Sequence, residues 1–365
     1  MALTIYAVGD IMLGEQDLCA GFGIKSVIKN KGVDYLFKGV KDIFKGGDIV
    51  FGNLEAPISN ETNKKGFEAD FFRAGPNVID GLKTANFNAL SIANNHIMEH
   101  GEKAFCSTVH FLKENNITPV GISNETEILE VNGFKVAVLA YSFIEDFIDN
   151  SLYNKIASEK KILEDVRNIK DSVDLTILFL HWGYEYVLFP SPKQVDIGRK
   201  LIDAGVDIVL GGHPHVLQGY EVYKGKPIVY SLGNFIFDHT YIKSTRKTII
   251  AKIRVDQDTK KIDVEIIPVI CDAKEYYPKI SNKKDSEEIL SIISETRCKM
   301  ENKSLADYLS EDYTTLANKY KRKAKQEMKM HFIKNLYRYP QSLSILIFYK
   351  YLARILNSIP GGNKK

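Results

Sequence analysis

Two histidines in an x-H-x-H array close the segment Gly211-Gly212-His213-Pro214-His215, directly after the mostly apolar run 206–210. Imidazoles so spaced, at the end of a buried strand, can aim at one metal ion from a rigid base. His181 ends the apolar run 175–180 in the same way, and His96 follows the run 89–92. Four of the eight histidines thus stand just after apolar runs, which points to a metal centre rather than to scattered surface imidazoles. Other polar groups occupy equivalent places: Asp10 after Gly9, Glu55 after Gly52-Asn53-Leu54, Asn95 beside His96, Glu185 near His181, and Asn234 after Gly233. Asp, Glu, Asn and His together are the borderline-hard donors expected for zinc, manganese or iron, as one ion or two. Two ions about 4 Å apart would hold a hydroxide for in-line attack, and a further protonated imidazole would serve the leaving group.

Each residue alone has an ordinary alternative. Asp10 would serve as a helix cap, Asn53 and Asn95 as turn residues, and His181 as a satisfied core histidine. Six clusters of one chemistry outweigh those separate explanations. Trp182 reads as a wall of the pocket, and His100 and His239 as bystanders.

The elements that would position these groups alternate in the manner of an α/β protein. Strands are expected over 3–8, 48–51, 89–92, 135–140, 175–180, 206–210 and 227–231. Helices are expected around 101–115 and 191–204, the second with Pro192 in its first turn and Gly205 just past its end. Residues 248–255 and 261–269 read as a β-hairpin. In an open α/β sheet, ligands bind outside the carboxyl ends of the strands, so the six clusters would converge on one edge.

With 365 residues, 44% of them hydrophobic, the chain can bury a large core. A net charge of +3 predicts no nucleic-acid partner. The cysteines, Cys19, Cys106, Cys271 and Cys298, are too scattered for a zinc knuckle and read as reduced thiols. The N-terminus shows no signal-peptide pattern and no stretch is long enough to span a bilayer, so a cytoplasmic setting is expected, with peripheral membrane association as its variant. The division expected is a catalytic-type domain over 1–275 and a helical extension over 276–365. That extension has helical patterns at 285–299 and 305–330, a basic run at 319–329 and an apolar segment at 342–356. Residues 319–356 would lie on an anionic membrane surface, pack back on the domain, or mediate self-association.

The motifs Gly9-Asp10-Ile11-Met12-Leu13-Gly14, Gly52-Asn53-Leu54-Glu55-Ala56-Pro57, Ala93-Asn94-Asn95-His96, His181-Trp182-Gly183-x-Glu185, Gly211 to Gly219 and Ser231-Leu232-Gly233-Asn234-Phe235 together resemble the CapA family. These are the poly-γ-glutamate capsule biosynthesis proteins, and the resemblance covers residues 3 to about 270. The family is similar to calcineurin-like metallophosphoesterases, which implies a four-layer α/β/β/α sandwich with a metal site at strand ends. By this resemblance Asp10, Asn95, His181, His213 and His215 are ligands, Glu55 is the nearby carboxylate, and His96, next to Asn95, is the acid–base histidine. Met12 stands where the superfamily has a ligand histidine, and Asn53 where it has a bridging aspartate. One ion is therefore better supported than two. The resemblance implies a metal-dependent hydrolase of a phosphoester or γ-glutamyl amide, acting on a small or polymeric anionic substrate. Asn53, Arg73, Glu185 and Asn234 would contact that substrate. The competing reading is a non-catalytic scaffold or polymer-binding component of a membrane-associated synthesis complex.

Overall fold

A computed structural model describes residues 2–146, 148, 152–155, 158–301, 313–339, 343 and 345. The chain begins with strands β1 (Ala2–Ile11), β2 (Ile49–Leu54), β3 (Ala89–Ser91) and β4 (Thr118–Val120), interleaved with helices α1 (Ile24–Lys31), α2 (Val78–Thr84) and α3 (Glu102–Glu114). It continues through β5 (Glu127–Val131), β6 (Phe134–Ser142), β7 (Leu175–His181), β8 (Ile208–Gly212), β9 (Leu217–Tyr223) and β10 (Lys226–Leu232), with α4 (Glu159–Ile169) and α5 (Pro192–Ala204) between them. Strands β11 (Asn234–Ile236), β12 (Lys247–Asp256), β13 (Ile262–Cys271) and β14 (Pro278–Ile280) precede helices α6 (Lys283–Glu301) and α7 (Tyr313–Asn335).

Two mixed sheets result. One runs β14-β13-β12-β1-β2-β3-β4, with β11 added beside β1, and the other runs β5-β6-β7-β8-β10-β9. Strands β2, β7 and β8 are buried at every residue, as parallel strands covered on both faces must be. The period-two alternation of β6, β7 and β8 divides their side chains between two cores. Val136, Val138, Ile177, Phe179 and Leu210 face the first sheet. Ala137, Leu139, Leu178, Leu180 and Val209 pack outward under α4 and α5. Phe51 and Phe179 meet across the inter-sheet space with ring centroids 5.6 Å apart. Tyr6 turns the other way, onto Phe44 at 5.6 Å, beneath the layer that holds α1, α2 and α3. The architecture is the four-layer α/β/β/α sandwich.

Helix α5 starts as its sequence dictates: Ser191 and Gln194 form a reciprocal capping box, Pro192 follows, and Gly205 ends it at φ 121°. The expected hairpin is β12–β13, paired from Lys247 with Ile270 to Val255 with Ile262. Helix α6 packs on β9, with Ile289 and Ile293 in the main core and Thr296 Oγ1 donating to the Gln218 carbonyl at 2.8 Å. Among the described residues no helix is long and apolar enough to cross a membrane. The apolar segment 342–356 lies outside the described residues apart from Leu343 and Ile345.

Candidate metal centre

The carboxyl ends of β1, β2, β7 and β8 meet between the two sheets. Register pairs Asp10 with Asn53 on one side and Asn234 on the other, and sets His181 beside Gly212. This close approach needs glycine. A Cβ on Gly212 would stand 2.5 Å from Asp10 Oδ1, and one on Gly9 would stand 1.8 Å from the Gly233 carbonyl oxygen. Immediately after β8 the chain turns through two left-handed residues, His213 at φ 89° and His215 at φ 58°. Non-glycine residues hold such angles only where their surroundings impose them, and here the turn aims both imidazoles inward.

Glu55 lies at the middle of the cluster. It is fully buried, and neither carboxylate oxygen has a hydrogen-bond partner. Its Oε1 faces the Nε2 atoms of His215, His181 and His96 at 3.7, 3.8 and 3.9 Å. Asp10, Glu55 and His181 each offer a donor atom within 4.8 Å of the others. His213 Nδ1 is likewise buried without a partner. Burial pushes the Glu55 carboxyl well above the usual carboxylate range, with Asp10 and Glu185 adding to it. Burial pushes His181 and His213 well below the ordinary imidazole range, helped by the neighbouring imidazoles. For His215 burial acts in the same downward direction, but its contact with Asp10 outweighs it and the result is a rise. With protonation of His181 and His213 disfavoured and no hydrogen bond reaching Glu55, the site is left with a deficit of partners for its donor atoms. A divalent cation fits that deficit and these donor types.

The surrounding amides fix orientation. Asn53 Nδ2 donates to Asp10 Oδ1 at 2.9 Å and lies 3.3 Å from His181 Nδ1. Asn95 Oδ1 is 2.9 Å from His181 Nε2, and Asn234 Oδ1 is 2.9 Å from His215 Nδ1. The His213 backbone N–H donates to Asp10 Oδ2 at 3.1 Å. Asn94 ties the β3 loop to β2 by donating to the Leu54 carbonyl at 2.8 Å. His96 Nδ1 pairs with Glu99 Oε2 at 2.7 Å, and its ring stacks on Phe72 at 4.1 Å. Its Nε2 is therefore presented toward Glu55, at the edge of a cavity of about 1060 Å³.

The structure thus gathers Asp10, Asn53, Glu55, Asn95, His96, His181, His213, His215 and Asn234, and Glu185 lines the cavity from an exposed position. Arg73 is placed elsewhere. Its guanidinium donates to the carbonyls of Ala69 and Ser59 at 2.8 and 2.9 Å, bracing a loop outside the cavity wall. Trp182 is no pocket wall either, since it donates to the Tyr230 carbonyl at 2.9 Å within the outer core. His100 spans Thr62 Oγ1 and the Phe71 carbonyl, a structural role. His239, read as a bystander, instead lines the cavity with Nδ1 buried and unpartnered, its ring 5.0 Å from that of His215. The alternation Phe235, Phe237, His239 beyond Asn234 was the signal for it. Met12 packs with Ala56 and Phe237 as apolar lining under the site.

A family model described as bacterial capsule synthesis protein PGA_cap matches residues 4–239. The chain belongs to this family. PGA_cap membership agrees with the resemblance carried by the six motifs. A capsule biosynthesis protein CapA from Bacillus anthracis is 33% identical over 281 residues, covering 72% of this chain and 66% of that one. The PGA biosynthesis protein CapA from Bacillus subtilis is 31% identical over 279 residues, covering 73% and 72%. Among solved structures, a putative 5′-nucleotidase from Staphylococcus aureus aligns at a TM-score of 0.44 and 15% identity, covering 80% of this chain and 58% of that one.

Proposed function

We propose that this PGA_cap-family chain is a metal-dependent hydrolase acting in capsule or poly-γ-glutamate metabolism on a phosphoester or γ-glutamyl amide. The observation that carries the reading is the Glu55 carboxylate, which lacks hydrogen bonds and faces three imidazole Nε2 atoms. Asp10, Glu55, His181, His213 and His215 would hold the ion, with Asn95 beside them. A bound manganese, zinc or iron ion would supply Lewis acidity to the substrate's phosphoryl or carbonyl oxygen and to the attacking water.

The remaining work falls to the chain's own groups. Asn53 and Asn234 hold Asp10 and His215 in fixed orientation, which keeps the donor set from collapsing on itself. Glu99 accepts from His96 Nδ1, so Nε2 is the atom that delivers a proton to the leaving group. Phe72 keeps the imidazole plane in register by stacking on it. The cavity is large enough for a substrate extending beyond the scissile bond.

Elemental analysis of the purified protein beside a His213→Ala/His215→Ala variant tests this, together with turnover of bis-p-nitrophenyl phosphate and γ-glutamyl-p-nitroanilide under added Mn²⁺. Stoichiometric metal and turnover of one probe, both lost in the variant, are expected. A wild type that neither holds metal after loading nor turns over either probe would sink the hydrolase reading.

A further inference from the structure

Helix α7 lies beyond the region the family model matches, yet it forms one side of the cavity that borders the candidate metal centre at His96, His213 and His215. It is tied across the loops that follow β7 and β11. Tyr313 Oη donates to the Phe189 carbonyl at 2.9 Å, and the Lys243 backbone N–H donates to Glu327 Oε2 at 2.8 Å. His331 stacks on Tyr241 at 4.2 Å and donates from Nε2 to the Leu18 carbonyl at 3.0 Å. Its own Ala317, Ala324 and Phe332 are buried.

Lys321, Lys325, Met328 and Phe332 of this helix line the cavity. Their spacing of four, three and four residues sets them on one helical face. Lys321 Nζ sits 4.6 Å from the ring centroid of Tyr184, in the loop that carries Glu185, and its charge helps lower His213. A third cavity lysine, Lys64, is occupied by Glu99 at 2.6 Å. Lys321 and Lys325 make no ion pair among the described residues, although Asp17, Glu68, Glu99, Glu145 and Glu185 line the same cavity.

We propose that α7 completes the substrate site, with Lys321 and Lys325 binding an anionic group of the substrate away from the reacting bond. Two ammonium groups without a close ion-pair partner, on an anchored helix lining a large cavity, form a receptor for carboxylate or phosphate. Lys321 is half-buried and Lys325 stands exposed at the cavity rim, whereas Arg322 and Lys323, also exposed, do not line the cavity. The proposal rests on the hydrolase reading only for what happens at the metal end of the cavity.

The test measures binding of γ-linked tetraglutamate and of inorganic pyrophosphate by calorimetry at two salt concentrations. It compares the full chain with Lys321→Ala/Lys325→Ala and with Arg322→Ala/Lys323→Ala, which removes the same charge off the cavity. At least one probe should bind the wild type, weaken about tenfold in the first variant and keep its affinity in the second. The probe that behaves so distinguishes a carboxylate from a phosphate ligand. Equal weakening in both variants, unchanged binding in the first, or no binding of either probe to the wild type would overturn the proposal. Metal content and turnover are read in each sample, so a wild type that neither holds metal after loading nor turns over either chromogenic probe would defeat the hydrolase reading and leave the lysine comparison intact.

Discussion

Glu55 Oε1 lies 3.8 Å from His181 Nε2, and neither Glu55 carboxylate oxygen receives a hydrogen bond. Leaving a buried carboxyl group without donors costs stability unless something supplies positive charge. Glu55→Gln keeps the shape and removes the charge. The metal-free variant should be at least as stable as metal-free wild type. It should also lose the rise in Tm that added Mn²⁺ or Zn²⁺ gives the wild type, with metal affinity falling on the order of 100-fold. Calorimetry with and without chelator reads both effects. A variant retaining the full metal-dependent rise would remove Glu55 from the ligand set.

His96 and Glu99 make a second, separable prediction. Burial alone would raise the Glu99 carboxyl, but His96 and Lys64 hold it at about 2, so it remains an anion under any working condition. His96→Gln should cut turnover by about 10²- to 10⁴-fold while leaving metal content unchanged. Glu99→Gln should give a smaller loss, since it frees the ring without deleting it. Equal metal loss in His96→Gln would make His96 a ligand and not the proton donor.

Much of this centre was legible in the sequence because its groups sit at or just beyond the carboxyl ends of strands buried over most of their length. Such strands announce themselves as apolar runs, and their register then brings Asp10, Asn53 and Asn234 side by side. What was not legible depends on contacts without local pattern. Strand β5 alternates between half-buried and exposed residues and shows no apolar run. Arg73 looked like an anion contact because its type suits one, but the Ala69 and Ser59 carbonyls claim its donors. For the basic run 319–329 the sequence left a membrane surface, packing on the domain and self-association all open. Only the packed helix shows that Lys321 and Lys325 line the cavity while Arg322 and Lys323 do not.

Gly212 tests how tightly the sheets must approach. A Cβ there would meet Asp10 Oδ1 at 2.5 Å and the Phe179 ring at 2.7 Å. Neither neighbour has room to yield, because Asp10 is held by Asn53 and by the His213 backbone. Gly212→Ala should cost about 1–3 kcal/mol in urea unfolding and lower metal occupancy as Asp10 is displaced. Full occupancy in a destabilised but folded variant would show that Asp10 can move without losing the ion.

Asp238 gives the stability of the fold a pH dependence of its own. Its oxygens accept from the backbone N–H groups of Gln16 and Ile24 at 2.8 and 2.9 Å, yet burial, with Glu15 adding, raises its carboxyl to about 8. The folded protein therefore holds a proton that the unfolded chain releases near pH 4. Its contribution is complete below that pH and is lost as pH rises through about 8. Asp238→Asn removes the titration at the cost of one hydrogen-bond acceptor. The variant should be clearly less stable than wild type at pH 5, with the gap narrowing by up to about 1.4 kcal/mol per pH unit toward pH 8. Urea unfolding at pH 5, 6.5 and 8 measures it. A gap constant across that range would mean that the two backbone donors keep Asp238 ionised throughout.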